Sequence, residues 1–151
     1  MLAKRPVIFV VEDEPVSAEL IQIYFEELGY EVLVAHSAAE AAALAVRRDP
    51  DILITDMLLD GPESGLSVAR RFREQYPELP IMLTSGLPQD DIRAAVAEIP
   101  GVHALPKPVR LSGLRETIDG LLREVAADGA GRPDGVGKAD GAGKTESTEL
   151  L

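Results

Sequence analysis

The residues of this sequence that could do chemistry stand where short apolar runs end. Five of them have charged or reactive side chains: Glu12, Asp13, Asp56, Ser85 and Lys107. Three of these are carboxylates, one is a hydroxyl and one is an ammonium group. If the apolar runs are parallel strands of one sheet, their carboxyl ends meet at one edge, and the five side chains share a single crevice.

The three carboxylates predict a site for a divalent metal ion. Within one crevice they repel one another and raise each other's pKa unless a cation lies among them. Oxygen ligands favour Mg²⁺ or Mn²⁺ over softer ions, and Mg²⁺ usually binds through one or two carboxylates, several waters and a phosphate. We therefore predict that Glu12, Asp13 and Asp56 hold Mg²⁺.

Asp56 is the candidate nucleophile of this constellation. An aspartate carboxylate can accept a phosphoryl group in covalent catalysis. Phosphoryl transfer depends mainly on positioning and on neutralising the charge of the phosphoryl oxygens. In this hypothesis Mg²⁺ holds one phosphoryl oxygen, the Ser85 hydroxyl a second and the Lys107 ammonium a third.

The elements that must position these residues alternate between strand and helix patterns. The first predicted strand, Val7–Val11, is apolar throughout, as is typical of a strand buried on both faces. The predicted strands cover residues 7–11, 30–35, 51–55, 81–84 and 102–105. The predicted helices cover residues 15–28, 38–48, 65–76, 89–98 and 112–125. Five such units predict an α/β fold with a doubly wound parallel sheet that helices cover on both faces.

Composition limits the classes of function. The chain has 151 residues, with 15 Lys and Arg against 26 Asp and Glu, a formal net charge of −11 and no cysteine. It has no basic patch suited to a phosphate backbone, so we expect no nucleic acid among its partners. The lack of cysteine excludes disulfides and thiolate metal sites. Because no apolar stretch reaches about 18 residues and no secretory signal is recognisable, we expect a soluble, cytoplasmic protein without membrane insertion.

Residues 5–126 are predicted to form the folded domain, and residues 127–151 a flexible Gly/Asp-rich tail. The tail repeats Asp-Gly-x-Gly at six-residue intervals and lacks apolar periodicity. Such a segment buries too little apolar surface to offset the entropy of ordering it. Residues 1–126 carry 12 basic and 21 acidic residues, so most of the negative charge belongs to the domain.

Four motifs together resemble the receiver domain of bacterial two-component response regulators. They are Val7-Ile-Phe-Val-Val-Glu12-Asp13-Glu-Pro, Ile52-Leu-Ile-Thr-Asp56-Met-Leu-Leu, Pro80-Ile-Met-Leu-Thr-Ser85-Gly and Leu105-Pro-Lys107-Pro108. The resemblance covers about residues 5–125 and implies a flavodoxin-like fold with strand order 2-1-3-4-5 and five helices. It also implies phosphorylation of Asp56 and a backbone carbonyl ligand for Mg²⁺ at Leu58. Of the adjacent Thr84 and Ser85, the family spacing selects Ser85 as the hydroxyl.

Several positions depart from the family pattern. Ala104 stands where the family usually has an aromatic residue that is coupled to the hydroxyl, and the loop before Gly65 carries one extra residue. Leu58 and Leu87 resemble the loop positions that tune hydrolysis of the phosphoryl group. Since both are apolar, we expect slow self-dephosphorylation. As in the family, we expect a cis peptide bond before Pro108.

Members of the family commonly carry a DNA-binding or enzymatic output domain, but only a polar tail of 25 residues follows here, so we expect a stand-alone, single-domain response regulator. Asp56 would accept a phosphoryl group from a sensor histidine kinase or a histidine phosphotransferase. The protein would then signal to an unknown downstream protein, or relay the phosphoryl group. We expect a monomer or weak dimer that is no enzyme beyond its own phosphorylation and dephosphorylation.

Two other classes of function, an adaptor and a phosphohydrolase, are compatible with parts of the sequence. The alternative is a receiver-like adaptor whose binding does not depend on phosphorylation, which Ala104 favours. A metal-dependent phosphohydrolase is disfavoured, because such enzymes usually have a second aspartate two residues after the nucleophile, and position 58 is Leu.

Overall fold

A computed structural model describes residues 4–131 of the chain. The chain forms two compact units, the first ending at Pro108 and the second beginning at Val109. The strands, all in the first unit, are β1 (Val7–Val11), β2 (Glu31–Ala35), β3 (Ile52–Asp56), β4 (Ile81–Ser85) and β5 (Val102–Pro106). The helices are α1 (Pro15–Glu27), α2 (Ala38–Arg47), α3 (Gly65–Gln75) and α4 (Gln89–Val96) in the first unit, and α5 (Leu111–Gly131) in the second.

The five strands are parallel and form one sheet in the order β2-β1-β3-β4-β5. This confirms the predicted doubly wound sheet and its order. Every residue of β1, β3 and β4 is buried, whereas β2 and β5 at the two edges are partly exposed. Continuous apolar runs therefore mark the central strands, because a central strand of a parallel sheet is covered on both faces.

Helices of the first unit lie on both faces of the sheet. The chain passes from β1 to β2 toward one edge and then reverses, so right-handed connections put α1 on one face and α2, α3 and α4 on the other. On the second face, a buried cluster joins Phe9 of β1, Leu53 of β3 and Phe72 of α3. The rings of Phe9 and Phe72 meet edge to face with their centroids 6.0 Å apart. Ile8 and Val10 alternate with Phe9 and therefore point to the α1 face.

The last helix is longer than predicted. It reaches Gly131, past the predicted end near Val125 and into the predicted tail of 127–151. The prediction of the helix end was wrong because Ala126 and Ala127, both strong helix formers, continue the helix beyond Val125, and it runs on through Gly129 to Gly131. The rest of the predicted tail, 132–151, lies outside the described residues. Within 4–131, no helix is both long and apolar enough to span a bilayer.

Smaller differences affect the strand ends. Strand β2 begins at Glu31 rather than at Tyr30, because the N–H of Tyr30 still donates to the carbonyl of Phe25 at the end of α1 (3.0 Å). Strands β3, β4 and β5 each run one residue further than predicted. As a result, Asp56 and Ser85 are the last residues of their strands, and the sheet itself holds their backbones.

Candidate functional site

The carboxyl edge of the sheet brings the acidic residues and the lysine together. Glu12 and Asp13 follow β1 directly, and Asp56 ends the neighbouring strand β3. Lys107 follows β5, and its backbone N–H donates to the carbonyl of Ser85 at the end of β4 (2.8 Å). Residues far apart in the sequence meet here because the parallel strands all end at the same edge.

The carboxylates of Glu12, Asp13 and Asp56 form a compact cluster. Each offers one oxygen that lies within 4.8 Å of the others. Glu12 and Asp56 are only 5% and 7% exposed, while Asp13 is partly exposed. A cluster of oxygen donors with one side near solvent fits Mg²⁺, which takes oxygen ligands and keeps several waters.

The ammonium group of Lys107 lies beside the two buried carboxylates. Its Nζ is 2.8 Å from Asp56 Oδ2 and 3.9 Å from Glu12 Oε1. Burial and the negative charge of Asp56 raise the pKa of Glu12 to about 7. Burial disfavours the charged form of Lys107, but the hydrogen bond and charge of Asp56 outweigh it, so the pKa of Lys107 is raised. Lys107 therefore stays charged and partly neutralises the cluster, although not enough to keep the pKa of Glu12 at its ordinary value.

The loop 57–64 contacts the cluster through its backbone. The N–H of Asp60 donates to Asp13 Oδ2 (2.8 Å), and the N–H of Leu58 donates to Asp56 Oδ1 (3.3 Å). The side chain of Leu58 itself is 61% exposed. Two of the three carboxylates are thus oriented by amides of this one loop.

Gly65 fixes the point at which this loop returns to the sheet. Its N–H donates to the carbonyl of Met57 (2.8 Å). A Cβ added at Gly65 would lie 1.8 Å from the carbonyl oxygen of Asp56 and 2.8 Å from the Cα of Met57. Helix α3 therefore begins in direct contact with the backbone of Asp56, an approach that only glycine permits.

The two hydroxyl residues at the end of β4 are both buried. Ser85 Oγ accepts a hydrogen bond from the N–H of Leu87 (3.0 Å). Thr84 lies opposite Asp56 in the β3–β4 ladder, and its carbonyl accepts from the N–H of Met57 (2.8 Å). The assignment of Ser85 as the hydroxyl that contacts the phosphoryl group stays a prediction.

Of the remaining expectations at this edge of the sheet, one is confirmed and two stay predictions. The peptide bond between Lys107 and Pro108 is cis, as predicted. Ala104 lies in β5 opposite Leu83. The carbonyl ligand at Leu58 and the slow dephosphorylation expected from Leu58 and Leu87 stay predictions.

Sequence reasoning missed two contacts of the acidic pair. In the first, the backbone amide of Asp60 donates to the carboxylate of Asp13. In the second, Nδ1 of the His36 ring lies 3.0 Å from the carbonyl oxygen of Glu12. The extra residue in the loop was the only sequence signal for the first contact. For the second, the signal was a polar ring directly after the strand that neighbours β1 at the functional edge.

Comparison with known proteins identifies relatives over most of the chain. The sequence profile of the response regulator receiver domain matches residues 8–119. The chain is 30% identical over 116 residues to the probable transcriptional regulatory protein TcrX of Mycobacterium tuberculosis, covering 77% of this chain and 49% of TcrX. It is 30% identical over 128 residues to the phosphate regulon transcriptional regulatory protein PhoB of Pseudomonas aeruginosa, covering 83% of this chain and 56% of PhoB. The chain thus spans about half the length of these curated relatives.

A solved structure agrees with these matches. The crystal structure of a response regulator receiver protein from Sinorhizobium medicae superposes with a TM-score of 0.72 at 26% sequence identity. The superposition covers 80% of this chain and 96% of that protein. The fold and the sequence profile therefore indicate the same family.

Proposed function

The chain belongs to the response regulator receiver domain family, and we propose that Asp56 accepts a phosphoryl group from a sensor histidine kinase or a histidine phosphotransferase. The observation that carries this proposal is the 2.8 Å contact between Lys107 Nζ and Asp56 Oδ2 beside the clustered carboxylates. An ammonium group in this position neutralises negative charge that a phosphoryl group brings to the site.

The proposed transfer exchanges one bond to phosphorus for another. A carboxylate oxygen of Asp56 supplies the electron pair of a new oxygen–phosphorus bond. The phosphorus–nitrogen bond of the donor phosphohistidine breaks, and the leaving imidazole nitrogen keeps that electron pair and takes a proton from solvent. Because Leu58 N–H and Lys107 Nζ already contact the two oxygens of Asp56, the carboxylate is oriented before the donor arrives.

Mg²⁺ is the proposed cofactor, with Glu12, Asp13, Asp56 and the backbone carbonyl of Leu58 as its protein ligands. When bound, it supplies positive charge that stabilises the phosphoryl oxygens. Support comes from the pKa of Glu12, raised to about 7 by burial and by Asp56, because a cation among these carboxylates would relieve their repulsion. We propose that the Ser85 hydroxyl donates to another phosphoryl oxygen.

The proposed output is a change in binding to a downstream protein, or transfer of the phosphoryl group to a further relay protein. A net charge of −11 disfavours direct contact with nucleic acid. The transcriptional roles in the names of TcrX and PhoB belong to proteins about twice as long as the matched region. The proposal includes a cytoplasmic location, a monomeric or weakly dimeric state and no turnover of external substrates.

Intact-mass spectrometry after incubation with acetyl phosphate tests the proposal. We expect a mass gain of one phosphoryl group that requires both Mg²⁺ and Asp56, and that Asp56→Asn abolishes. Asp60→Asn is the matched control, because it changes an exposed aspartate of the adjacent loop and keeps the backbone amide that contacts Asp13.

The same experiment separates the proposal from its alternative. A folded protein that gains no mass under any condition, or a gain that persists in Asp56→Asn, would overturn the proposed phosphoacceptor. Of these two outcomes, the absence of any mass gain would favour the phosphorylation-independent adaptor. The observation behind that alternative is Ala104, which cannot provide the aromatic side chain that usually responds to the hydroxyl.

A further inference from the structure

The peptide bond between Glu12 and Asp13 joins two of the three clustered carboxylate residues. Since a peptide group is planar, the direction of the Glu12 carbonyl fixes the direction in which the chain continues into Asp13. Two contacts hold this peptide segment. The N–H of Glu12 donates to the carbonyl of Ala35 (2.9 Å), and the Glu12 carbonyl oxygen lies 3.0 Å from Nδ1 of His36.

The start of α2 explains why a side chain holds the Glu12 carbonyl. Strand β2 ends at Ala35, and Ser37 already caps α2, its Oγ accepting from the N–H of Glu40 (3.1 Å). The N–H of His36 donates to the Glu40 carboxylate (2.7 Å). The chain turns into α2 directly after β2, and the ring of His36 supplies the donor to the Glu12 carbonyl where a further ladder bond would have come from the backbone.

We propose that His36 is a positioning residue of the metal site, which holds Glu12 and Asp13 in the relative orientation that Mg²⁺ requires. A ring nitrogen that faces a carbonyl oxygen at this distance carries its hydrogen, which both the Nδ1–H tautomer and the imidazolium ion provide. The inference rests on the proposed function, because it concerns the same Mg²⁺ site. It assigns no metal contact to His36 itself.

The size of the effect follows from the kind of contact. Hydrogen-bond partners of metal ligands typically change metal affinity by 10- to 100-fold when they are removed. His36 holds a backbone carbonyl rather than a ligand atom, and it is exposed to solvent. We therefore expect a smaller change, about fivefold in the dissociation constant for Mg²⁺.

Two variants of similar size separate the hydrogen bond from the bulk of the side chain. His36→Asn keeps an N–H donor at the same number of bonds from the backbone as Nδ1, whereas His36→Leu has a similar shape and no donor. Titration of the ¹⁵N-labelled proteins with MgCl₂, followed by NMR at the amides of Glu12 and Asp13, gives the affinity of each. We expect His36→Leu to bind Mg²⁺ about fivefold more weakly than the wild type, and His36→Asn to bind it within about twofold of the wild type.

Each outcome bears on the inference. Equal affinities for wild type and His36→Leu, or an affinity of His36→Asn as weak as that of His36→Leu, would overturn the role of His36 alone. A wild-type protein that binds no Mg²⁺ would overturn the proposed function, and this inference with it. Without Mg²⁺, His36→Leu is expected to melt about 4 °C below His36→Asn, which is the effect of one lost hydrogen bond. A much larger difference would assign its weaker binding to the fold and so contradict the positioning role.

Discussion

Asp56 and Asp13 belong to the same acidic cluster, but the protein holds them in different ways. Asp56 ends β3, which pairs with β1 on one side and β4 on the other, and it is 7% exposed. Asp13 follows β1 outside the sheet, is partly exposed, and accepts a hydrogen bond from the amide of Asp60 in the exposed loop. The sheet thus holds the proposed nucleophile, whereas a loop contact orients Asp13, its neighbour in the proposed metal site.

The difference in how Asp56 and Asp13 are held separates contacts that the site requires from contacts that only adjust its geometry. A buried ladder opens only at high free-energy cost, while contacts of exposed loops open locally at much lower cost. Changes that displace the backbone at the end of β3 are therefore expected to disrupt both the fold and the site. Changes in the loop 57–64 or in its contacts are expected to alter the site while the sheet persists.

The largest effect is expected at Gly65, where the loop meets the end of β3. In Gly65→Ala the new Cβ would lie 1.8 Å from the carbonyl oxygen of Asp56, so the backbone of a central strand must shift. We expect a loss of about 3 kcal/mol or more in the free energy of unfolding, measured by urea denaturation.

Gly113→Ala is the matched control for this substitution. Gly113 is also helical, but a Cβ there meets nothing within 4 Å. Its replacement by alanine is expected to leave stability unchanged or to raise it by up to about 1 kcal/mol. If Gly65→Ala lost as little as the control, the backbone of Asp56 would be far less rigidly held than the comparison with Asp13 implies.

The next largest effect is expected at Lys107, whose replacement should slow phosphorylation but strengthen Mg²⁺ binding. Lys107→Met keeps an unbranched stem but removes the ammonium group 2.8 Å from Asp56 Oδ2. We expect phosphorylation by acetyl phosphate to slow by about 100-fold, because the phosphoryl oxygens lose a charged donor. Mg²⁺ should bind severalfold more tightly, since a competing positive charge has left the cluster.

Removal of a positive charge elsewhere controls for the net charge of the protein. Arg93 is exposed on α4, so Arg93→Met should change neither quantity by more than about twofold. Weaker Mg²⁺ binding in Lys107→Met, measured by the same NMR titration, would show that Lys107 orders the carboxylates rather than competing with a metal for them.

The centre of the sheet could be predicted from the sequence because β1, β3 and β4 each begin with a run of aliphatic or β-branched residues. Val7–Val11, with no polar residue, specifies a strand buried on both faces, and the structure confirms it. The clustering of Glu12, Asp13 and Asp56 followed from the same reasoning, because parallel strands end at one edge. Local patterns and overall fold agree at these positions.

The contacts that orient the cluster could not be predicted in the same way. The donor to Asp13 is the backbone N–H of Asp60, a group that every residue except proline possesses, so no residue type marks it. His36 has an informative residue type, but its contact depends on where β2 ends and α2 begins. Sequence therefore predicted that the three carboxylates meet, and the structure was needed for how they are oriented.

A smaller effect is expected from the pKa of Glu12, which burial and Asp56 raise to about 7. Because the folded protein holds this proton more tightly than the unfolded chain, the contribution to stability is complete below pH 4.5 and is lost as the pH rises toward 7. Without Mg²⁺, the wild type should lose on the order of 2 kcal/mol across this range relative to Glu12→Gln.

Urea denaturation of both proteins at several pH values measures this difference. Saturating Mg²⁺ should reduce it, because the metal favours the ionised carboxylate. Parallel pH profiles of wild type and Glu12→Gln without Mg²⁺ would contradict the raised pKa of Glu12 and with it the effect of burial and of Asp56.

The smallest effect tests the comparison between Asp56 and Asp13 directly. The amide of Met57 donates to the carbonyl of Thr84 in the sheet, whereas the amide of Asp60 donates to the side chain of Asp13. In Asp13→Ala without Mg²⁺, the Asp60 amide should exchange with solvent about fivefold faster, equivalent to about 1 kcal/mol, while Met57 exchanges as in the wild type. Hydrogen exchange followed by NMR measures both amides in one sample. If both accelerated equally, the end of β3 and the loop 57–64 would open as one cooperative unit, and the loop contact would then support the nucleophile as well as its neighbour.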